Sequence, residues 1–302
     1  MLEVIFLGTS AMVPTKERNV QSIFISCNTE GILIDCGEGT QRQMNIANIK
    51  RNKITRILIS HWHGDHVSGL IGLIQTLGNI EGYNELNIYG PLGTKEKMSH
   101  LLQTCYFDLR IKINIFELNP KKETVEKFFE NQDLFIEAAM LDHGIPCVGY
   151  SIIEKSVRKM LKDKLKKFGL STGPIVGKLQ RGETVTVKEK IIKPDDVSKL
   201  TMQKKITFIL DTKVCNGAMA LAKDADILVS EAVYASKLEE KAEEYSHMTA
   251  KQAAFMAHNA NVKKLILTHI SQRYKTSEEV LEDAKNIFEN SEVAFDFMKV
   301  KL

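Results

Sequence analysis

The segment His61-Trp62-His63-Gly64-Asp65-His66 constrains this chain more than any other stretch of it. It follows a short branched run, Arg56 to Ile59, and precedes Val67, Leu70, Ile71, Ile74 and Leu77, which recur at helical spacing. Three imidazoles and a carboxylate therefore crowd one tight turn between a strand and a helix. Alternating His61 and His63 can face one cation, while Asp65 and His66, at the helix start, can face a second about 3.5–4 Å away, the separation of two-metal sites. Nitrogen ligands mixed with carboxylates suit zinc best, with manganese or iron second. The bland alternative, a chance cluster of histidines on a loop, does not account for the spacing.

A turn of this kind needs a sheet behind it, and the rest of the chain supplies one. Apolar runs recur at Val4 to Leu7, Gly31 to Ile34, Phe135 to Met140, Ile206 to Leu210 and Lys264 to Leu267, with the length and branching of buried strands. Between some of them lie helical patterns, such as Ala250, Ala253, Ala254 and Ala257. The fold class is α/β, with sheets covered by helices. Asp35, His143, Asp211 and His269 each fall at or just past a predicted strand end, where α/β folds gather their sites. One Asp after a strand is usually a turn former and one His usually packing or surface; the recurrence is what matters. The four residues of the turn cannot complete two coordination shells, so His143, Asp211 and His269 are the candidates for the remainder. A carboxylate at Asp211 can bridge two cations, which together acidify a shared water and neutralise charge on an attacked phosphate.

Length and composition fit one α/β core with an insertion: 302 residues, 43% hydrophobic and 26% charged. The start, Met1 to Gly8, carries Glu3 where a signal peptide wants basic residues and reads as a first buried strand. No uninterrupted apolar stretch approaches the ~18 residues of a membrane span. The expectation is a soluble, cytoplasmic protein with no membrane contact. Cys27, Cys36, Cys105, Cys147 and Cys215 are scattered and never form a CxxC pair, which argues against a disulfide framework or a thiolate zinc site.

One region has a different texture. From Lys155 to Arg181 nine Lys or Arg face the single acid Asp163, a local charge of +8 in a chain whose total is +3. Val157, Met160, Leu161, Leu165 and Phe168 recur there at roughly helical spacing, until Gly169, Gly173-Pro174, Gly177 and Gly182 break the pattern. This is read as an inserted, protruding, flexible basic arm over 153–183 within a single domain of 1–302. A solvated helical face is the commonest fate of a charge run, a basic helix on a membrane a weaker alternative, and an electrostatic grip on a polyanion the functional reading.

The HWHGDH segment with His143, Asp211 and His269 resembles the metallo-β-lactamase superfamily, and further segments resemble one family within it, ribonuclease Z, the tRNA 3′-processing endonucleases. Pro14-Thr15-Lys16-Glu17-Arg18-Asn19 is similar to that family's PxKxRN loop, Leu33 to Gln41 to its first Asp motif, and Leu141 to Pro146 to its third metal motif. Gly173 to Leu179 resembles the GP motif of its tRNA-binding arm, which generic superfamily members lack. The resemblance runs almost the full length and implies an αββα sandwich carrying an inserted arm. It implies two Zn2+, with Mn2+ the alternative: one held by His61, His63 and His143, the other by Asp65, His66 and His269, with Asp211 on both. It further implies that Asp65 orients or deprotonates the attacking water and that Glu231 and His247 assist the leaving group. Lys16, Arg18, Asn19, Gly173, Pro174 and Arg273, the last in a segment similar to the family's SxRY tail, would meet substrate. Precursor tRNA would be the substrate, cut 3′ of the discriminator base to leave a 3′-hydroxyl, and a homodimer the working form.

Two segments depart from the family pattern. Ser230-Glu231-Ala232-Val233 stands where His-Glu-Ala-Thr is common, and His247-Met248-Thr249 where His-Ser-Thr is. Two other function classes remain in view: a hydrolase of small esters or phosphodiesters using the same metals, and a metal-stabilised RNA-binding module without turnover. The arm and the PxKxRN loop argue against the first, the filled ligand positions against the second.

Overall fold

The computed structural model describes residues 2–302, so Met1 of the expected first strand lies outside the described residues. It divides into two compact units, Met1–Ile153 with Lys205–Leu302, and Glu154–Lys204.

In the larger unit, alternation along the strands sets the layers. In β1 (Leu2–Gly8), Val4 and Phe6 enter one apolar cluster while Ile5 and Leu7 enter another on the opposite face. β2 (Ser22–Cys27), β3 (Glu30–Ile34), β4 (Arg56–Leu58), β5 (Glu85–Pro91) and β6 (Lys112–Leu118) follow in the same sheet. The second sheet takes β7 (Val125–Glu130), β8 (Leu134–Met140), β9 (Val148–Glu154), β10 (Lys204–Ile209), β11 (Ile227–Glu231), β12 (Leu265–Thr268) and β13 (Ser291–Val293). β14 (Lys299–Lys301) returns to the edge of the first. Strand order is β14-β1-β2-β3-β4-β5-β6 in one sheet and β13-β12-β11-β10-β9-β8-β7 in the other. β3 to β6 run parallel, as do β10 to β13.

Residues of both sheets share the central cluster, among them Phe6, Ile25, Ile34, Ile136, Tyr150, Phe208 and Ile266. The helix Leu70–Gly78 covers the outer face of the first sheet, and Asn216–Ala222, Ala250–Asn259 and Glu278–Lys285 cover that of the second. The layers are thus helix, sheet, sheet, helix, the αββα sandwich that the family resemblance implies. Because the inner parallel strands, such as β3, β4, β11 and β12, are buried on both faces, they read as continuous apolar runs, and each fully buried large side chain contributes roughly 1.5–3 kcal/mol. The expected runs fall on β1, β3, β4, β8, β10 and β12, with ends shifted by a residue or two. No helix among the described residues is long and apolar enough to cross a membrane.

The smaller unit has its own apolar cluster of Leu165, Leu170, Leu179, Val185, Ile192 and Val197. It differs from the sequence expectation in two respects. Arg158–Met160, read as part of a helical stripe, is a strand that pairs antiparallel with Ser198–Leu200, and only Lys162–Lys167 of that stripe is helical. Since the pairing partner lies so far along the chain, the unit closes at Lys204, beyond the 153–183 span that charge alone marks. Val157 N donates to Thr201 Oγ1 at 2.9 Å and Thr201 N to Val157 O at 2.9 Å, so the two ends of the insertion meet.

Candidate metal centre

Each element of the larger unit delivers its ligand candidates from a strand end. The His61–His66 turn leaves β4, with His66 in the short helix Gly64–Val67. His143 follows β8, Asp211 follows β10 and His269 follows β12. Six of the chain's eight histidines meet here: His61, His63, His66, His143, His247 and His269. The turn can sit against the Asp35–Gly39 loop only because neither side carries a Cβ. One on Gly69 would stand 2.2 Å from Gly37 O, and one on Gly37 2.2 Å from Asp65 O.

The ring nitrogens and carboxylate oxygens form two groups. In the first, His61 Nε2 lies 3.0 Å from His63 Nδ1, which lies 3.3 Å from His143 Nε2. In the second, His66 Nε2 lies 3.2 Å from His269 Nε2, and Asp65 Oδ2 lies 3.3 Å from the latter. Asp211 Oδ2 stands 3.5 Å from His61 Nε2, 3.6 Å from His143 Nε2 and 3.5 Å from His66 Nε2, so it serves both groups.

In three of the rings, those of His61, His66 and His143, the far side fixes where the proton sits. His66 Nδ1 faces Asp35 Oδ2 at 2.6 Å, and His143 Nδ1 faces the Ser246 carbonyl at 2.9 Å. Ser60 Oγ lies 2.7 Å from Asp35 Oδ2 and 3.0 Å from His61 Nδ1; donating to the carboxylate, it accepts from the imidazole. With those Nδ1 atoms protonated, the Nε2 lone pairs of His61, His66 and His143 all point inward. Neighbouring ring nitrogens within each group stand 3.0 to 3.3 Å apart; with nothing positive between them their lone pairs repel, and a cation is what such a cradle fits. Buried atoms without a hydrogen-bond partner point the same way: Asp211 Oδ1 and His269 Nδ1 stand 3.1 Å apart, yet neither has a properly aligned bond. This donor set fits a metal ion.

The protonation balance agrees. Burial opposes charge on both Asp65 and Asp211, but the surrounding histidines outweigh it and hold both carboxyls far below the usual range. Burial keeps His61 neutral. His66 is also buried, yet Asp211 and Asp35 beside it raise its pKa well above the ordinary value; a cation held there would supply the positive charge that the proton otherwise does.

Glu231 and His247 also come together beside the ligand groups. Glu231 is fully buried, and its Oε1 accepts from Thr212 N at 2.6 Å and lies 3.1 Å from His247 Nδ1. Burial alone would lower the His247 pKa; the Glu231 charge and hydrogen bond reverse that and lift it to about 9. The side chains at the two departures from the family pattern make no hydrogen bond to the side chains of this pair. Ser230 Oγ donates to the Glu231 carbonyl, and Met248 is buried in the alanine-rich outer core.

Of the other expected contact residues, Lys16 is exposed, while Arg18 and Asn19 are engaged within the body. Arg18 donates to Thr9 Oγ1, Ala294 O and Ser277 Oγ, and Asn19 to Glu38 O and Asp296 Oδ2. Gly173 and Pro174 are exposed at the start of the helix Pro174–Gln180 in the smaller unit. Arg273 is exposed on the wall of a pocket of about 760 Å³ that Asp65, His143, Asp211 and His269 also line. In the sequence Asp35 stands at a strand end without an evident task, and nothing marks Ser60, the Ser246 carbonyl, or Met12 N, which donates to Asp65 Oδ2 at 2.9 Å. No pattern signals a carbonyl or an amide, but the strand-end position of Asp35 was a usable one. The cysteines show no chemistry: no disulfide forms among the described residues, Cys27, Cys36 and Cys147 are buried, and burial pushes the Cys36 thiol up to about 12.

The chain is 41% identical to ribonuclease Z of Methanothermobacter thermautotrophicus, over 100% of this chain and 97% of that protein. The chain belongs to the ribonuclease Z family. Its structure superposes on that of human tRNase Z, short form, with a TM-score of 0.73 and 27% identity, covering 99% of this chain and 98% of the other. A metallo-β-lactamase fold protein from Bacillus subtilis, 16% identical, gives a TM-score of 0.71 over 100% of both chains and supports the fold. A family model described as anti-Pycsar protein Apyc1 matches residues 2–143. As a ribonuclease Z-family chain this is a hydrolase of metallo-β-lactamase fold, with a His and Asp cluster suited to metal.

Proposed function

We propose that this chain is a zinc-dependent endoribonuclease that cuts precursor tRNA on the 3′ side of the discriminator base, leaving a 3′-hydroxyl on the tRNA. One observation carries the reading: Asp211 Oδ2 stands 3.5 Å from a ring nitrogen in each of two separate ligand groups at one pocket. His61, His63 and His143 would hold one Zn2+, Asp65, His66 and His269 the other, and Asp211 both, with Mn2+ the alternative occupant. Two such ions supply an acidified attacking water and charge neutralisation on the phosphate.

The chain's own residues do the rest. Asp65, fixed by Met12 N, orients the attacking water. His247 carries a proton at neutral pH because Glu231 holds it, and it can deliver that proton to the departing 3′-oxygen, a strong base. Lys16 and Arg273 meet phosphates, while Arg18 and Asn19 shape the loop that presents Lys16. The basic Glu154–Lys204 unit, with Gly173 and Pro174, grips the folded RNA by shape and charge, as suits double-helical RNA. We place the protein in the cytoplasm, as a homodimer.

End-mapping decides the matter. Purified protein with zinc should convert a precursor tRNA to one product ending at the discriminator base with a 3′-hydroxyl, and chelator should abolish this. Cuts at scattered positions, or turnover that survives chelation, would overturn the reading.

A further inference from the structure

The pocket wall holds side chains that neither the metal groups nor the Glu231–His247 pair accounts for. Lys241, Tyr245, Tyr234 and Arg273 line it together with Met12 and Val13. Resting on the functional reading above, we propose that this wall is a nucleotide subsite: Tyr245 stacks on a base next to the scissile phosphate, and Lys241 pairs with a neighbouring phosphate.

Three observations converge on it. First, Tyr245 is 56% exposed at the pocket while its backbone is pinned to the metal centre. Its N–H donates to Lys241 O, the next residue's carbonyl faces His143 Nδ1 at 2.9 Å, and His247 N donates to Ala242 O at 2.8 Å. A ring mounted on a backbone this firmly held has only its two side-chain torsions to lose when a base stacks on it. Second, the helix Glu239–Glu244 reads Glu-Glu-Lys-Ala-Glu-Glu. Its four acids repel a polyanion, and it is the single cation, Lys241, that lines the pocket. Third, the Arg273 guanidinium lies 4.9 Å over the Tyr234 ring, and its Nε donates to Ser271 Oγ at 3.0 Å. One face of Tyr234 is therefore covered, and its residue is only 7% exposed. The accessible aromatic surface falls to Tyr245, with Lys241 and Arg273 as cations on the same wall. An aromatic face with cations beside it takes a base and its phosphates, and stacking is tolerant of base identity.

The test uses the zinc-loaded full chain and two precursor tRNAs, one intact and one abasic at the nucleotides flanking the cut. Losing the ring in Tyr245→Ala should raise KM for the intact precursor roughly tenfold or more with a smaller change in kcat. Tyr245→Phe should restore it, and Lys241→Gln should raise KM and flatten the salt dependence of cleavage. Against the abasic precursor, wild type should show the same penalty and Tyr245→Ala no further one. Melting curves establish that each variant is folded. An unchanged KM in folded Tyr245→Ala, or an abasic penalty that adds in full to that of the variant, overturns the subsite. Wild type that hydrolyses bis(p-nitrophenyl) phosphate yet leaves the intact precursor uncut sinks the functional reading instead.

Discussion

The metal pocket and the Glu154–Lys204 unit use polar residues in opposite ways. In the pocket five of the seven groups that would meet metal are buried, Asp65 is half-buried and His63 is exposed, and three of the rings have a partner on their far side: Asp35 behind His66, Ser60 behind His61, the Ser246 carbonyl behind His143. In the smaller unit, Lys159, Lys162, Lys164, Lys166 and Lys167 are exposed and set around a core of only six buried apolar residues. A reaction needs single atoms held to a fraction of an ångström, whereas a grip on a polyanion needs only enough charge. Damage should therefore be all-or-none in the first region and graded in the second.

The largest effect tests the first half of that contrast. Asp211→Ala removes the one carboxylate shared by both ligand groups, and turnover on both precursor tRNA and a small phosphodiester should fall by orders of magnitude, with metal content per chain reduced in elemental analysis. Retained activity would show that the two groups do not act as one centre. Next comes the second half. Excising the insertion by joining Val157 to Thr201, whose backbones already meet, should abolish precursor cleavage while hydrolysis of the small diester persists. Single Lys→Gln changes there should each cost only a few-fold and lower the salt slope by about one counterion apiece. A lone lysine whose loss matched the excision would break the comparison.

A smaller effect probes how the pocket is held. Asp35→Asn leaves an acceptor for Ser60 but weakens the hold on His66 Nδ1, and zinc affinity by competitive titration should drop roughly 10- to 100-fold; no change would mean that His66 needs no orientation. The smallest concerns Asp296, which accepts from Thr9 Oγ1, Asn19 N and Gln43 Nε2 and so ties the Pro14–Asn19 loop to the C-terminal segment. Burial raises its carboxyl to about 6 despite those hydrogen bonds. Between about pH 4 and 6 the folded chain thus binds a proton that the unfolded chain has released, and stability from this group is lost as pH rises through that window. The melting temperature of wild type relative to Asp296→Asn should fall by a few degrees from pH 4 to 7, and a flat difference would remove Asp296 from the account.

The parts of the site that could be read from the sequence are those whose geometry is local. His61 to His66 are close enough along the chain for spacing to imply convergence, and Asp211 and His269 betray themselves by ending apolar runs. Asp35, Ser60 and Ser246 act through positive-φ turns and contacts across the sheets, as with the φ of 56° at Asp35 and 59° at Ser246, and no periodicity encodes these. The smaller unit shows the opposite failure. Its charge was plain, but Val157 to Phe168 satisfied a helical spacing while Arg158–Met160 was committed to a strand partner at Ser198–Leu200. Local pattern gives way where a distant segment supplies the hydrogen bonds.

Three strand-end residues of the centre, Asp35, Asp211 and His269, have φ of 56°, 22° and 55°, backbone conformations that glycine adopts at no cost and a side chain adopts at roughly 1–3 kcal/mol. The backbone torsion, taken by itself, would favour glycine at all three. A glycine at Asp35 would relieve that strain only by giving up the carboxylate's buried bonds to Ser60 N, Ser60 Oγ and His66 Nδ1, so the centre holds its backbone in tension against its own side-chain contacts.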